Sequence, residues 1–180
     1  MAATQQVSAM LSNEEKAIFE KVIAGAKDKS GMEVKGQVVT NGNLVNTIKD
    51  KAVLQIIDQH NWSGKPVPLY PEVLPFGEVV QFEHRGPLPE GCKGGVVYAD
   101  GTDSTARKWL VAFHIPNNEY HHSGDKVYVE AGPIGPIDWN IVEVKLDASE
   151  YASSYVDPVF GGKAWAVIHP GSILVAGFTN

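Results

Sequence analysis

The residues of this chain that could do chemistry are few and scattered. Six histidines stand at positions 60, 84, 114, 121, 122 and 169, and one cysteine at position 92. Glu119-Tyr120-His121-His122-Ser123-Gly124-Asp125 groups the densest set of donors, and imidazole with carboxylate suits zinc or copper. His121 and His122, with Asp125 as a third donor, are therefore the metal candidates, provided the loop bends to let neighbouring histidines share one ion. Cys92 lies in Gly91-Cys92-Lys93-Gly94, where the adjacent lysine favours thiolate, but a nucleophile also needs a base in reach and His84 is only near in sequence. Cys92 reads as a passive loop residue. His84 and His114 each close an alternating strand and read as half-buried histidines bonded to backbone.

Aromatic side chains offer a second kind of chemistry. Trp62, Tyr70, Tyr98, Tyr120 and Trp139 fall in or beside turn-rich stretches, and aromatic rings on loops stack on sugars or enter the choline-rich layer of a membrane. Trp62, Tyr70, Tyr120, His121 and His122 are taken as the candidate ligand site. No phosphate-binding glycine loop is present, since Gly161-Gly162-Lys163-Ala164 lacks the required spacing, and no Gly-x-Ser-x-Gly or His-Glu-x-x-His occurs. The chain thus reads as non-enzymatic, without a catalytic set and without a cofactor.

These residues must be positioned by strands. Lys108 to His114, Lys126 to Glu130 and Trp139 to Leu146 each alternate apolar and polar residues, which predicts three consecutive strands. In the third, Val142, Val144 and Leu146 would face a dry interior and Glu143, Lys145 and Asp147 the solvent. Earlier, Val34 to Thr40, a turn at Asn41-Gly42-Asn43 and Leu44 to Ile48 read as a hairpin, followed by a strand over Ala52 to Ile57. Prolines make residues 61 to 75 a surface loop. Strands over Glu78 to His84 and Gly94 to Ala99 flank a Pro/Gly loop; residues 147 to 163 are irregular, and a hairpin about Pro170-Gly171 ends the chain. The expectation is an antiparallel β-sandwich of about nine strands with one N-terminal helix. Ser12-Asn13-Glu14-Glu15 is a capping box that starts the helix, Ile18, Phe19, Val22, Ile23 and Ala26 form its apolar face, and Ser30-Gly31 stops it. Residues 1–32 then form an arm and helix, and 33–180 the sandwich.

Composition fits one domain. At 180 residues, folding buries about 70% of the unfolded surface. The 18 glycines and 11 prolines supply the turns that many short strands need. Net charge is −6, and residues 1–36 balance their charges, so the deficit lies in the sandwich; such a surface disfavours nucleic acid and anionic lipid. A lone cysteine, no secretory leader and no stretch approaching ~20 apolar residues favour a cytoplasmic protein without a transmembrane segment.

Trp62-x-Gly64, Phe82-x-His84, Gly94-Gly95-Val96-Val97-Tyr98, Trp109-Leu110, Val127-Tyr128-x-Glu130 and Asp138-Trp139-x-Ile141 through Lys145-Leu146 resemble, in order, the plant 23 kDa jasmonate-induced protein family, over most of residues 35–150. The resemblance implies an intracellular plant protein that accumulates under jasmonate, salt or wounding, and carries over no catalytic residues. At the level of fold alone, the strand arrangement is similar to actinoporins and aegerolysins, which bind lipid headgroups. The partner expected is a small molecule, a glycan or a lipid headgroup, with a lectin-like or cytolysin-like role as the alternative and oligomerisation left open.

Overall fold

A computed structural model of the chain describes residues 7–26, 35–50, 53–117 and 124–180. Among these residues, eleven strands lie in two packed sheets: β1 (Gln37–Asn46), β2 (Val53–Ser63), β3 (Lys65–Val67), β4 (Val73–Pro75), β5 (Val79–Pro87), β6 (Cys92–Ala99), β7 (Arg107–Ile115), β8 (Lys126–Pro133), β9 (Ala152–Val156), β10 (Lys163–His169) and β11 (Ile173–Thr179). One sheet has the order β3-β5-β1-β11-β10-β9 and the other β4-β2-β6-β7-β8. Pairing is antiparallel except between β1 and β11, which run parallel from Asn41↔Ile173 to Asn46↔Phe178. The expected sandwich is present, with more strands than the sequence suggested because two short edge strands, β3 and β4, form in the stretch read as a surface loop and β9 in the one read as irregular. Pro66 and Pro75 lie in those edge strands, where a missing amide donor interrupts no central ladder.

Between the sheets, Leu44, Leu54, Leu74, Val96, Tyr98, Trp109, Val111, Phe113, Leu174 and Phe178 fill a dry core. A helix covers the outer face of each sheet. Helix α1 (Asn13–Ala26) and the preceding Leu11 set Leu11, Val22, Ile23 and Ala26 against Trp165, Val167, Ile173 and Val175 of the six-stranded sheet. Its capping box forms as expected: the Glu15 amide donates to Ser12 Oγ at 3.2 Å and the Ser12 amide donates to Glu15 Oε2 at 2.8 Å. The same Glu15 oxygen accepts from Lys163 Nζ of β10 at 2.8 Å, so one carboxylate both starts the helix and fastens it to the sheet. The stop expected at Ser30-Gly31 lies outside the described residues.

Two expectations are corrected. Residues 139–146 form not a strand but helix α2 (Trp139–Asp147). Asp138 caps it, accepting from the amides of Asn140 at 3.0 Å and Ile141 at 3.3 Å. Val142 and Leu146, four apart, are buried against Val97, Leu110 and Ala112, whereas Val144 is 70% exposed. Val142 and Leu146 satisfy a period of two as well as 3.6, and the cap decided between them. Asn41-Gly42-Asn43, for its part, is no turn but the middle of β1. There Asn43 is buried, donates to the Leu174 carbonyl at 3.1 Å and accepts from Gln81 at 3.1 Å, while Gly42 leaves room for the Phe82 ring, which a Cβ would strike. Turn-type residues serve here for side-chain bonding and close approach.

Candidate aromatic site

Strand β2 is the element that sorts side chains between core and surface. Its pairing with β6 shifts register between Ile56 and Asp58 and again between Asn61 and Ser63. Such irregularities re-aim side chains. Asp58, His60 and Trp62 reach the outer face beside α2, and Asn61 turns inward to bond Tyr70 and His84.

On the outer face three rings meet. His60 stacks on Trp139 with ring centres 5.6 Å apart and planes 21° apart; Trp62 meets His60 edge-on at 4.9 Å and Trp139 at 5.8 Å. All three are half-buried. Trp139 is fixed from two sides: its Nε1 donates to Asp58 Oδ2 at 3.2 Å, and its ring lies over Gly95, where a Cβ would come within 2.7 Å. Lys93 Nζ stands 5.7 Å from the Trp62 ring centre and pairs with Glu143 at 2.8 Å and Asp147 at 3.1 Å. Partial burial works to lower the Lys93 pKa, but the two carboxylates outweigh it and hold the ammonium charged. Farther along the face, Lys145 Nζ lies 5.6 Å from the Tyr128 ring and the Tyr128 hydroxyl donates to Glu130 at 2.6 Å. The patch around the three rings therefore offers ring faces and edges among three acids and one internally paired lysine, a surface suited to stacking a flat ring or holding a cation.

Behind β2, inside the sandwich, a polar knot forms. Asn61 Oδ1 accepts from the Tyr70 hydroxyl at 2.8 Å and lies 3.0 Å from His84 Nε2, which assigns the proton of that imidazole to Nε2. His84 is fully buried, and burial pushes its pKa down to about 4. Cys92 heads β6 rather than a loop; its thiol donates to the carbonyls of His84 at 3.2 Å and Val38 at 3.3 Å, and burial pushes its pKa up to about 11. A thiol so held is not a nucleophile at neutral pH. His114 Nε2 lies 3.0 Å from the Glu90 carbonyl, the backbone contact expected of it, whereas His84 bonds a side chain instead.

The ligand site expected from the sequence thus separates, with Trp62 at the surface cluster. Tyr70 is a core residue, 2% exposed, its hydroxyl spent on Asn61. Tyr120, His121 and His122 lie outside the described residues. Asp125 is buried just before β8, and burial pushes its pKa up to about 7. Among the described residues, no three metal-ligating side chains converge. Reasoning from loops missed His60, Asp58 and Lys93; the signal available was Asp58-x-His60-x-Trp62, three side chains on one face of a strand.

The fold has known likenesses. The structure is similar to that of the lipid-binding protein Nakanori, with a TM-score of 0.62 and 17% identity over 97% of this chain and 84% of that one. It also matches the wild-type lectin XCL of Xerocomus chrysenteron, at a TM-score of 0.49 and 12% identity over 79% of this chain and 98% of that one. No family model and no curated protein sequence matches the chain. At 17% identity the likeness to Nakanori shows a shared β-sandwich. No helix among the described residues is long and apolar enough to cross a membrane.

Proposed function

We propose that the protein is a non-enzymatic binding protein whose His60–Trp62–Trp139 cluster takes the headgroup of a membrane lipid, with a quaternary ammonium as the group recognised. The observation that carries this is the cluster itself: half-exposed rings, pre-set by Asp58 and Gly95, beside the carboxylates of Glu143 and Asp147. A cation already rests near the Trp62 ring in the form of Lys93, and an ammonium ligand would use the same attraction. The likeness to a sandwich that binds lipid supports the choice of headgroup over other cations. The resemblance to jasmonate-induced proteins supplies the proposed setting, a stress-responsive protein of the plant cytoplasm.

Titration with soluble phosphocholine, followed by tryptophan fluorescence, tests the site. Saturable quenching is expected, weakened roughly tenfold or more by Trp62→Ala, since a desolvated cation–π contact contributes about 2 kcal/mol. An unchanged affinity in Trp62→Ala rules the site out. A second reading, stacking of a sugar ring on Trp62, rests on the same ring faces and predicts glycan-array signals that phosphocholine does not displace.

A further inference from the structure

We infer that the turn joining β9 to β10 is a second contact surface, made to dip into the interfacial layer of a zwitterionic lipid surface. The end of β9 and the turn after it read Tyr155-Val156-Asp157-Pro158-Val159-Phe160-Gly161-Gly162, and their apolar side chains point away from the protein: Val159 is 78% exposed, Val156 62% and Phe160 46%. Exposing such side chains to water is unfavourable, and the turn is not loose. Asp157 is buried and uses both carboxylate oxygens within the turn, accepting from the Val159 amide at 3.1 Å and the Phe160 amide at 3.2 Å. Its own amide donates to the Gly162 carbonyl at 2.8 Å, closing the turn at its base. Val159 and Phe160 are thereby held outward in a fixed geometry, which lowers the ordering cost of inserting them.

The size and charge of the tip select its occupant. Val156, Val159 and Phe160 together expose on the order of 300 Å² of apolar surface, given that a whole aromatic side chain buries ~150–250 Å². Even a two-fold pairing of tips would bury only about half of the ~1,200 Å² at which specific protein interfaces begin. A lipid surface needs no complementary partner area, because it seals around whatever enters it. The neighbouring charges are already satisfied within the protein: Lys163 pairs with Glu15, Arg107 with Asp100 at 3.0 Å, and Asp157 with backbone amides. Among the described residues, no cation is left at the tip to seek anionic headgroups, so the surface that fits is an uncharged one. Tyr155, 41% exposed at the root of the turn, has the apolar body and polar tip that suit the boundary between acyl chains and water.

The inference is independent of the aromatic site, and one experiment separates them. Full-length protein is floated with vesicles of pure phosphatidylcholine, in wild-type form and as Val159→Ser/Phe160→Ser, Phe160→Leu and Trp62→Ala. Expected is co-flotation that falls at least tenfold in the double serine variant, is retained in Phe160→Leu, and changes less than twofold between 0.1 and 0.5 M NaCl, while phosphocholine titration of the double variant is unaltered. Absence of wild-type flotation would overturn the inference, as would equal flotation of the double serine variant. A concentration-dependent dimer that the double variant dissolves would overturn it too, by giving the tip to a second copy of the chain. Loss of flotation confined to Trp62→Ala would leave the proposed headgroup site standing and remove the tip from membrane contact.

Discussion

His84 shows at the level of one residue how interior chemistry sets a pH response. It is fully buried and bonded through Nε2 to Asn61, and its ring packs on those of Tyr70 and Phe113, neither of which can balance a cation. An unfolded chain protonates this histidine near pH 6.5, the folded one only near pH 4. Between those values the unfolded state binds the extra proton, so stability falls as pH falls, by about 3 kcal/mol in all, and is indifferent to this group above pH 7. Asp125 runs the other way: its carboxyl keeps a proton up to about pH 7 when folded, so its contribution is lost as pH rises from about 4. The two slopes oppose each other in the whole protein, and the His84 part is read as a difference. Denaturation of wild type and His84→Gln at a series of pH values should give a stability difference that climbs from pH 4 to 6.5 and then levels; a flat difference means the imidazole reaches water. Gly95 makes the comparable point at the surface. A Cβ there meets the Trp139 ring, so Gly95→Ala should push the ring off His60, cost about 1–3 kcal/mol and shift tryptophan emission to longer wavelength.

At the scale of elements, the capping box is the clearest case of a sequence signal that survived intact. Ser12 and Glu15 do what their spacing announced, and Glu15 also binds Lys163, a contact between residues far apart in the chain that no local pattern announces. Three variants separate these tasks. Glu15→Ala removes both the side-chain half of the capping box and the ion pair, leaving the Ser12 hydroxyl on the residue-15 amide, and should cost about 2 kcal/mol, or roughly 4–8 °C in melting temperature. Glu15→Gln, which can still cap, and Lys163→Ala, which leaves the cap alone, should each cost less than half of that. A melt in which Lys163→Ala equals Glu15→Ala would show that docking, not capping, dominates. The strands over 107–115 and 126–133 were legible because alternation there had no helical competitor. Residues 139–147 were not, because Val142 and Leu146 fit both periods, and only the side-chain bonds of Asp138 to the amides of Asn140 and Ile141 distinguish them. Misreading that helix hid the site, since Trp139 belongs to it and His60 reaches Trp139 only through the bulges of β2. Bulges depend on pairing across the sheet, and the sequence of one strand does not state them.

For the molecule as a whole, the decisive feature is that the last strand is an inner one. Strand β11 lies between β1 and β10, so the six-stranded sheet stays open along its middle until the C-terminal residues arrive. Leu174, Ala176 and Phe178 point into the core between the sheets, while Ile173 and Val175 support α1 on the other side. Removing this strand takes a wall from both layers and leaves the ladders of β1 and β10 with unpaired amides and carbonyls away from any edge. A chain ending at Ser172 should therefore show neither a near-ultraviolet dichroism signal nor a cooperative melt, although it keeps most of its residues. Loss of Asn180 alone, which contributes a 3.4 Å contact to Arg107, should change the melting temperature by no more than about a degree or two. Pairing of β1 with β11 also joins distant parts of the chain, so loop-closure entropy is met before much of the core can form. Refolding should be correspondingly slow, on the order of milliseconds to seconds, and Val175→Ala on β11 should slow it if that pairing belongs to the rate-limiting step. Cooperative melting of the chain ending at Ser172, within a few degrees of the full protein, would mean that the five-stranded sheet and its helix carry the fold, and that β11 only covers it.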